Sequence, residues 1–243
     1  MRVGLFVTCL VDLMRPRIGF AALELLEAAG YEVLVPETQT CCGQPAYNSG
    51  DRAAARALAE KLLVEYEHCD YLVLPSGSCA GMVRSHYAEL VADDADLARR
   101  MAALAAKTYE LTDFLVNVAR VGMLPSESQG SVTYHDSCSG LRELGIKQQP
   151  RALLAQVGGV TLKEMSGADE CCGFGGAFSV KFGELSAAIA GRKCENIQSS
   201  GADAVVGGDL GCLLNIEGKL RRMGDDKTQV LHVAEVLTSP KTR

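Results

Sequence analysis

The stretch RVGLFVTC at 2–9 is a short β-branched run ending on a cysteine, and SVTYHDSC at 131–138 is the same device a second time. Working outward, the first copy continues to TCCG, with Cys41 and Cys42, and to YLVLPSGSC, ending on Cys79. The second continues to ECCG, with Cys171 and Cys172, and to AVVGGDLGC, ending on Cys212. The intervening lengths are 31 and 36 residues in the first half, and 32 and 39 in the second. The copies also close alike, AKTYELTDFL at 106–115 against DKTQVLHVAEVL at 226–237. Four cysteines recurring in register, with the same flanking segments, indicate a duplication.

Between the cysteines, strand-like and helix-like patterns alternate. Val3–Val7, Glu32–Val35 and Tyr71–Leu74 read as strands, as do Ser131–His135, Val160–Lys163 and Ala204–Val206. GFAALELLEAAG at 19–30 is apolar at helical spacing and stops at Gly30. The Ala-rich segment 50–69 reads as a helix with Asp51 as its N-cap, and a helix is expected from about Phe178 to Ser199. Strand–helix alternation predicts an α/β fold of two tandem parallel-sheet βαβ domains, related by a pseudo-twofold axis. VGMLPSESQG at 121–130 has the composition of a boundary, which divides the chain into domains 1–125 and 126–243.

On this plan Cys9, Cys79, Cys138 and Cys212 each follow the carboxyl end of a strand, and both CC pairs lie in the loop after a second strand. Ligands of open α/β sheets bind at that edge, so the four cysteines of each copy can converge. A chain of 243 residues that is 48% hydrophobic has core enough without cross-links. The net charge of −6 and the absence of a basic run argue against nucleic acid as a partner. No apolar run reaches membrane-spanning length and the N-terminus lacks a signal-peptide layout, so a cytoplasmic protein is expected, one that can sit peripherally at the inner face of the membrane through its partners. There structural disulfides are rare, and ten cysteines point to metal or redox chemistry.

Adjacent side chains diverge in extended backbone, so Cys41–Cys42 and Cys171–Cys172 fit one small ion poorly. Zinc sites usually draw on C-x₂₋₄-C pairs, and no C-x-x-C occurs here. An iron–sulfur cluster offers several metal atoms to diverging thiolates and is the favoured reading, with zinc as the alternative. Gly43 and Gly173, following each pair, let backbone N–H groups approach sulfur closely.

The paired CCG pattern resembles the cysteine-rich CCG domain found in heterodisulfide reductase and in the iron–sulfur subunit of glycolate oxidase. Two such domains in a chain of this length resemble the LutA/LldE/YkgE family of lactate-utilisation proteins, and YHDSC at 134–138 and CCGFGG at 171–176 resemble its second domain. The resemblance implies one cluster on Cys9, Cys41, Cys42 and Cys79 and another on Cys138, Cys171, Cys172 and Cys212. Where the full pattern places one further cysteine, this chain has Ser76 and Asp209. Two [4Fe–4S] clusters are implied, cubane or noncubane. The implied function is an iron–sulfur electron-transfer subunit of an L-lactate-oxidising complex, with a LutB-like iron–sulfur protein, a LutC-like protein and an electron acceptor chain as partners. The other readings are a zinc-stapled docking subunit of the same complex and a heterodisulfide-reductase-like thiol–disulfide oxidoreductase, which the missing cysteine disfavours.

The chain shows no Ser/His/Asp set and no catalytic carboxylate pair, so it is not expected to oxidise lactate unaided. His135 reads either as a hydrogen-bonded strand-end histidine or as a side chain touching the cluster's ligands. Cys69 and Cys194 read as small buried hydrophobes. His68, His86 and His232 carry no case for function. Asp93, Asp94 and Asp96 read as a solvated helix start. Arg15, Arg17, Arg142 and Lys181 flank the cysteine loops as surface charge, able to offset a cluster's negative charge.

Overall fold

The computed structural model describes residues 1–122 and 127–238. The chain divides into two compact units, Met1–Ala119 and the residues from Arg120 onward. The boundary expected at 125/126 lies outside the described residues.

In the first unit, β1 (Arg2–Leu5), β2 (Glu32–Leu34), β3 (Tyr71–Leu74) and β4 (Thr108–Glu110) form one parallel sheet in the order β2-β1-β3-β4. In the second, β5 (Glu127–His135), β6 (Gly158–Leu162), β7 (Ala204–Gly207) and β8 (Gln229–His232) repeat it as β6-β5-β7-β8. The expected tandem α/β architecture is therefore present, and the alike closing segments of the two copies supply a fourth strand to each sheet.

Helices cover these sheets because the central strands are apolar on both faces, as parallel strands must be. Leu72, Val73 and Leu74 are all fully buried. The helix Arg17–Ala28 turns Ile18, Ala22, Leu25 and Leu26 inward, and Gly30 takes φ 87° just past its end. The helix Arg52–Tyr66 is capped by Asp51, whose carboxylate accepts the Ala54 N–H at 3.0 Å. Its last residue, Tyr66, packs over Gly4 so closely that a Cβ there would lie 2.3 Å from the ring. The Tyr66 hydroxyl donates to the Leu5 carbonyl at 3.1 Å, which ties the helix to the end of β1.

One expected helix is broken. Residues 178–199 fold as Ala177–Lys181 and Gly183–Ser199, with Phe182 at φ −128° and ψ 55° between them. Gly183 has low helix propensity, and Phe182 is exposed, so neither intrinsic preference nor packing holds the turn together there.

The fourth strands end on helix caps of opposite chemistry. Glu110 accepts from the Thr112 and Asp113 N–H groups and from the Thr112 hydroxyl, while His232 accepts the Ala234 N–H in the matching place. Burial lifts the Glu110 pKa from 4.5 to about 7, and its Oε1 has no hydrogen-bond partner among the described residues. Between those values the folded state holds a proton that the unfolded state has lost, so stability is full below about pH 4.5 and falls as pH rises through 7. The loss is on the order of 3 kcal/mol. Glu110→Gln is expected to flatten this decline in urea titrations between pH 5 and about 8; an unchanged slope would refute the assignment.

Candidate metal centres

The eight cysteines of the two CCG patterns all lie beyond the carboxyl ends of the strands. After β1 the chain passes through Thr8, at φ 77° and ψ 146°, and begins a helix at Cys9. After β5, Cys138 likewise starts the helix Cys138–Arg142. Cys79 and Cys212 stand in the first turns of the helices that follow β3 and β7. Ser76 and Asp209 occupy the N-cap positions of those two helices, and both are buried. Ser76 accepts the Cys79 N–H at 3.4 Å, so where the full pattern has a thiol this chain has a helix cap that holds the neighbouring thiol in place.

In the first unit the Cys9 and Cys41 sulfurs are 3.7 Å apart, and those of Cys42 and Cys79 are 3.2 Å apart. These separations are far beyond the roughly 2.05 Å of a disulfide, and all ten cysteines are free. Each CC pair splits in depth: Cys42 and Cys172 are buried, while Cys41 and Cys171 are half-buried. The Gly43 N–H donates to Cys41 Sγ at 3.4 Å, and the Gly173 N–H donates to Cys171 Sγ at 3.3 Å. The matching glycines thus direct matching donors at matching sulfurs.

The crowding sets the protonation of the thiols. Cys41 accepts hydrogen bonds from Cys42 and Cys9, which pulls its pKa well below that of an ordinary thiol, whereas Cys9 and Cys42 are pushed up by donating to it. In the second unit Cys138 is raised by burial and by the nearby Cys171. Thiols so close cannot all ionise unless positive charge sits among them. That is the chemistry of a donor set for a metal or a metal cluster, and the residues fit one.

Side chains far away in sequence hold the loops. The Tyr87 hydroxyl donates to the Cys42 carbonyl at 2.8 Å, and Asn215 Nδ2 donates to the Cys172 carbonyl at the same distance. Buried Lys193 donates to the carbonyls of Gly167 and Ala168, fixing the approach to Cys171. Arg151 grips the carboxylate of buried Asp136 through two bonds, at 2.8 and 3.0 Å, just ahead of Cys138. Sequence reasoning missed all four, because no local pattern marks them.

His135 is fully buried; among the described residues neither ring nitrogen makes a close hydrogen bond, and the Ala168 carbonyl offers the ring a weak backbone contact. Burial, and then Lys193, hold its pKa down at about 3, so the ring is neutral. One of its ring nitrogens lies within 4.8 Å of the sulfurs of Cys172 and Cys212. His232 is a buried helix cap, Cys69 and Cys194 are buried, and Asp94 caps the helix Ala95–Ala106.

Fold and site together define a tandem cysteine-rich protein, and a cysteine-rich CCG domain profile matches residues 3–84 and 132–217. The chain belongs to the lactate utilization protein A family. It is 45% identical over 237 residues to lactate utilization protein A 2 of Bacillus cereus (strain Q1), covering 98% of each chain. It is also 45% identical to lactate utilization protein A of Bacillus cytotoxicus, covering 98% of this chain and 99% of that one. Among solved structures, an aspartate racemase homologue from Pyrococcus horikoshii OT3 aligns over 97% of this chain and 94% of its own, at 13% identity and a TM-score of 0.29, which carries no argument. No helix among the described residues is long and apolar enough to cross a membrane.

Proposed function

We propose that this chain is an iron–sulfur electron-transfer subunit of an assembly that oxidises L-lactate to pyruvate. The observation that carries the reading is the pair of matching thiol groups at the carboxyl edges of two parallel sheets, in a relative of proteins named for lactate utilization. Cys9, Cys41, Cys42 and Cys79 would hold one cluster, and Cys138, Cys171, Cys172 and Cys212 the other. When bound, such clusters supply reversible one-electron chemistry.

The chain's own residues then set position and potential. The Gly43 and Gly173 N–H groups stabilise negative charge on sulfur and so favour the reduced state. Tyr87 and Asn215 keep the deep cysteine of each pair from shifting when charge changes. Proteins of the LutB and LutC types are the partners that complete substrate oxidation and pass electrons on, on the cytoplasmic side of the membrane.

The test is anaerobic purification and reconstitution of the full chain with iron and sulfide, followed by iron and acid-labile sulfide assays. Broad visible absorption, bleached by lactate when the partner proteins are present, is the expected result. Protein that stays free of iron after reconstitution would sink the reading, and zinc retained in its place would support the docking role instead.

A further inference from the structure

One of the positions at which the two copies differ lies just ahead of the first cysteine of each. Three residues before Cys9 stands Phe6, and three residues before Cys138 stands His135. Phe6 is buried edge-on against Tyr66, with ring centroids 6.0 Å apart. His135 ends β5, paired with Gly207 of β7 at the edge where Cys172 and Cys212 gather. An imidazole buried completely, with only a weak contact to the Ala168 carbonyl, is a costly arrangement, and native proteins keep such groups where something fills them. Here the nearby groups able to share a bound species with it are sulfurs: its nitrogen and the Cys172 and Cys212 Sγ atoms are mutually within 4.8 Å.

We propose that His135 is a metal ligand of the second site, which makes that centre a mixed imidazole–thiolate one while the first site is ligated by thiolates alone. The proposal rests on the reading that the second cysteine group holds metal, and it deepens that reading by making the two centres unequal. The imidazole adds a neutral nitrogen donor to the four thiolates of the second site, a ligand the first site lacks, so the two centres differ in reduction potential. The two centres are then unequal carriers, and duplication has given the chain two different potentials instead of a spare copy. The strand end is built to hold the ring still: the Asp136 N–H donates to the Ala168 carbonyl at 3.0 Å, and the Asp136 carboxylate is clamped by Arg151.

The test uses the full chain, with wild-type, His135→Phe and His135→Gln proteins compared by circular dichroism to establish folding. His135→Phe installs the side chain that the first copy carries. Each protein is loaded anaerobically in two ways, with iron and sulfide, and with zinc alone. Pulsed EPR of the reduced iron-loaded protein, made with ¹⁵N-histidine, is expected to show a strongly coupled ring nitrogen that both variants lose. X-ray absorption at the zinc edge is expected to show imidazole scattering that both variants lose, with zinc affinity of the second site falling at least about tenfold. A midpoint potential that shifts in both variants at one centre and not the other is the accompanying result. Iron uptake with no strongly coupled nitrogen, or with a coupling that survives both substitutions, overturns the assignment and leaves the iron–sulfur reading standing. Zinc uptake with imidazole in its shell and no iron uptake does the reverse. A protein that retains neither metal overturns both.

Discussion

Cys79→Ser is expected to strip the first site and leave the second loaded, and Cys172→Ser is expected to do the opposite. Each variant should retain roughly half the iron and sulfide of the wild-type chain, because each unit gathers its own thiols and neither borrows from the other's sequence. The physical reason is the donor, not the shape. Serine keeps the volume but replaces a soft thiolate with a hydroxyl that stays protonated at neutral pH. Cys79 Sγ lies 3.2 Å from Cys42 Sγ, so removing it unpairs the buried thiol of the CC pair as well.

The functional effect should exceed the loss of metal. A relay with one carrier missing is interrupted, not halved. Disturbing a group that merely orients a ligand already costs about 10–100-fold, and losing a ligand costs at least that. Lactate-dependent electron transfer in the assembly reconstituted with both partners should therefore fall to about a hundredth or less for each variant. Cys69→Ala is the control: this buried thiol precedes β3, which Cys79 follows, and its charged neighbours are Lys107, Arg2 and Asp70, so its removal should cost stability but no iron. Iron content untouched by both Cys79→Ser and Cys172→Ser would show that the thiols are not ligands.

The parts of this site legible in the sequence are those that repeat or obey a local rule. The βα alternation placed four cysteines of each copy at one sheet edge, and the structure brings them within contact of one another. Asp51 and Asp94 cap the helices they precede because capping is decided within three residues. What escaped the sequence depends on partners far away along the chain. Tyr87 reaches Cys42 across 45 positions and Asn215 reaches Cys172 across 43, and the two side chains share no chemistry that would align them. His135 was visible as a residue, but its burial without a close hydrogen bond was not, since that is a property of the packed state. The break at Phe182 was hidden for a similar reason: the apolar periodicity runs straight through it, while the tertiary contacts that would have kept the helix whole are missing.

Gly173→Ala is expected to be the more damaging of the two substitutions at the CCG glycines, and Gly43→Ala the milder. Both glycines have left-handed backbone, at φ 86° and 82°, a conformation that costs alanine about 1–2 kcal/mol. The surroundings separate them. A Cβ on Gly43 would meet the Ala55 carbonyl at 3.3 Å, a contact that a small shift relieves. A Cβ on Gly173 would lie 2.6 Å from the Ser186 carbonyl and 3.2 Å from the Ala190 nitrogen, both backbone atoms of the helix Gly183–Ser199. That helix cannot yield easily, because Ser186 Oγ also donates to the Gly173 carbonyl at 2.8 Å and buried Ala190, Cys194 and Ile197 seat it on the sheet. Strain and overlap together should cost about 3–4 kcal/mol at Gly173 against about 1–2 kcal/mol at Gly43. The sequence suggested only that these glycines bring N–H groups to sulfur; the structure adds that Gly173 also lets a helix backbone pass against the loop. Pushing the loop away would move the N–H that bonds Cys171 Sγ, so metal loading of the second site should fall with stability. Urea denaturation midpoints with metal assays on both variants check the ordering, and equal losses at the two glycines would refute the close helix contact as its cause.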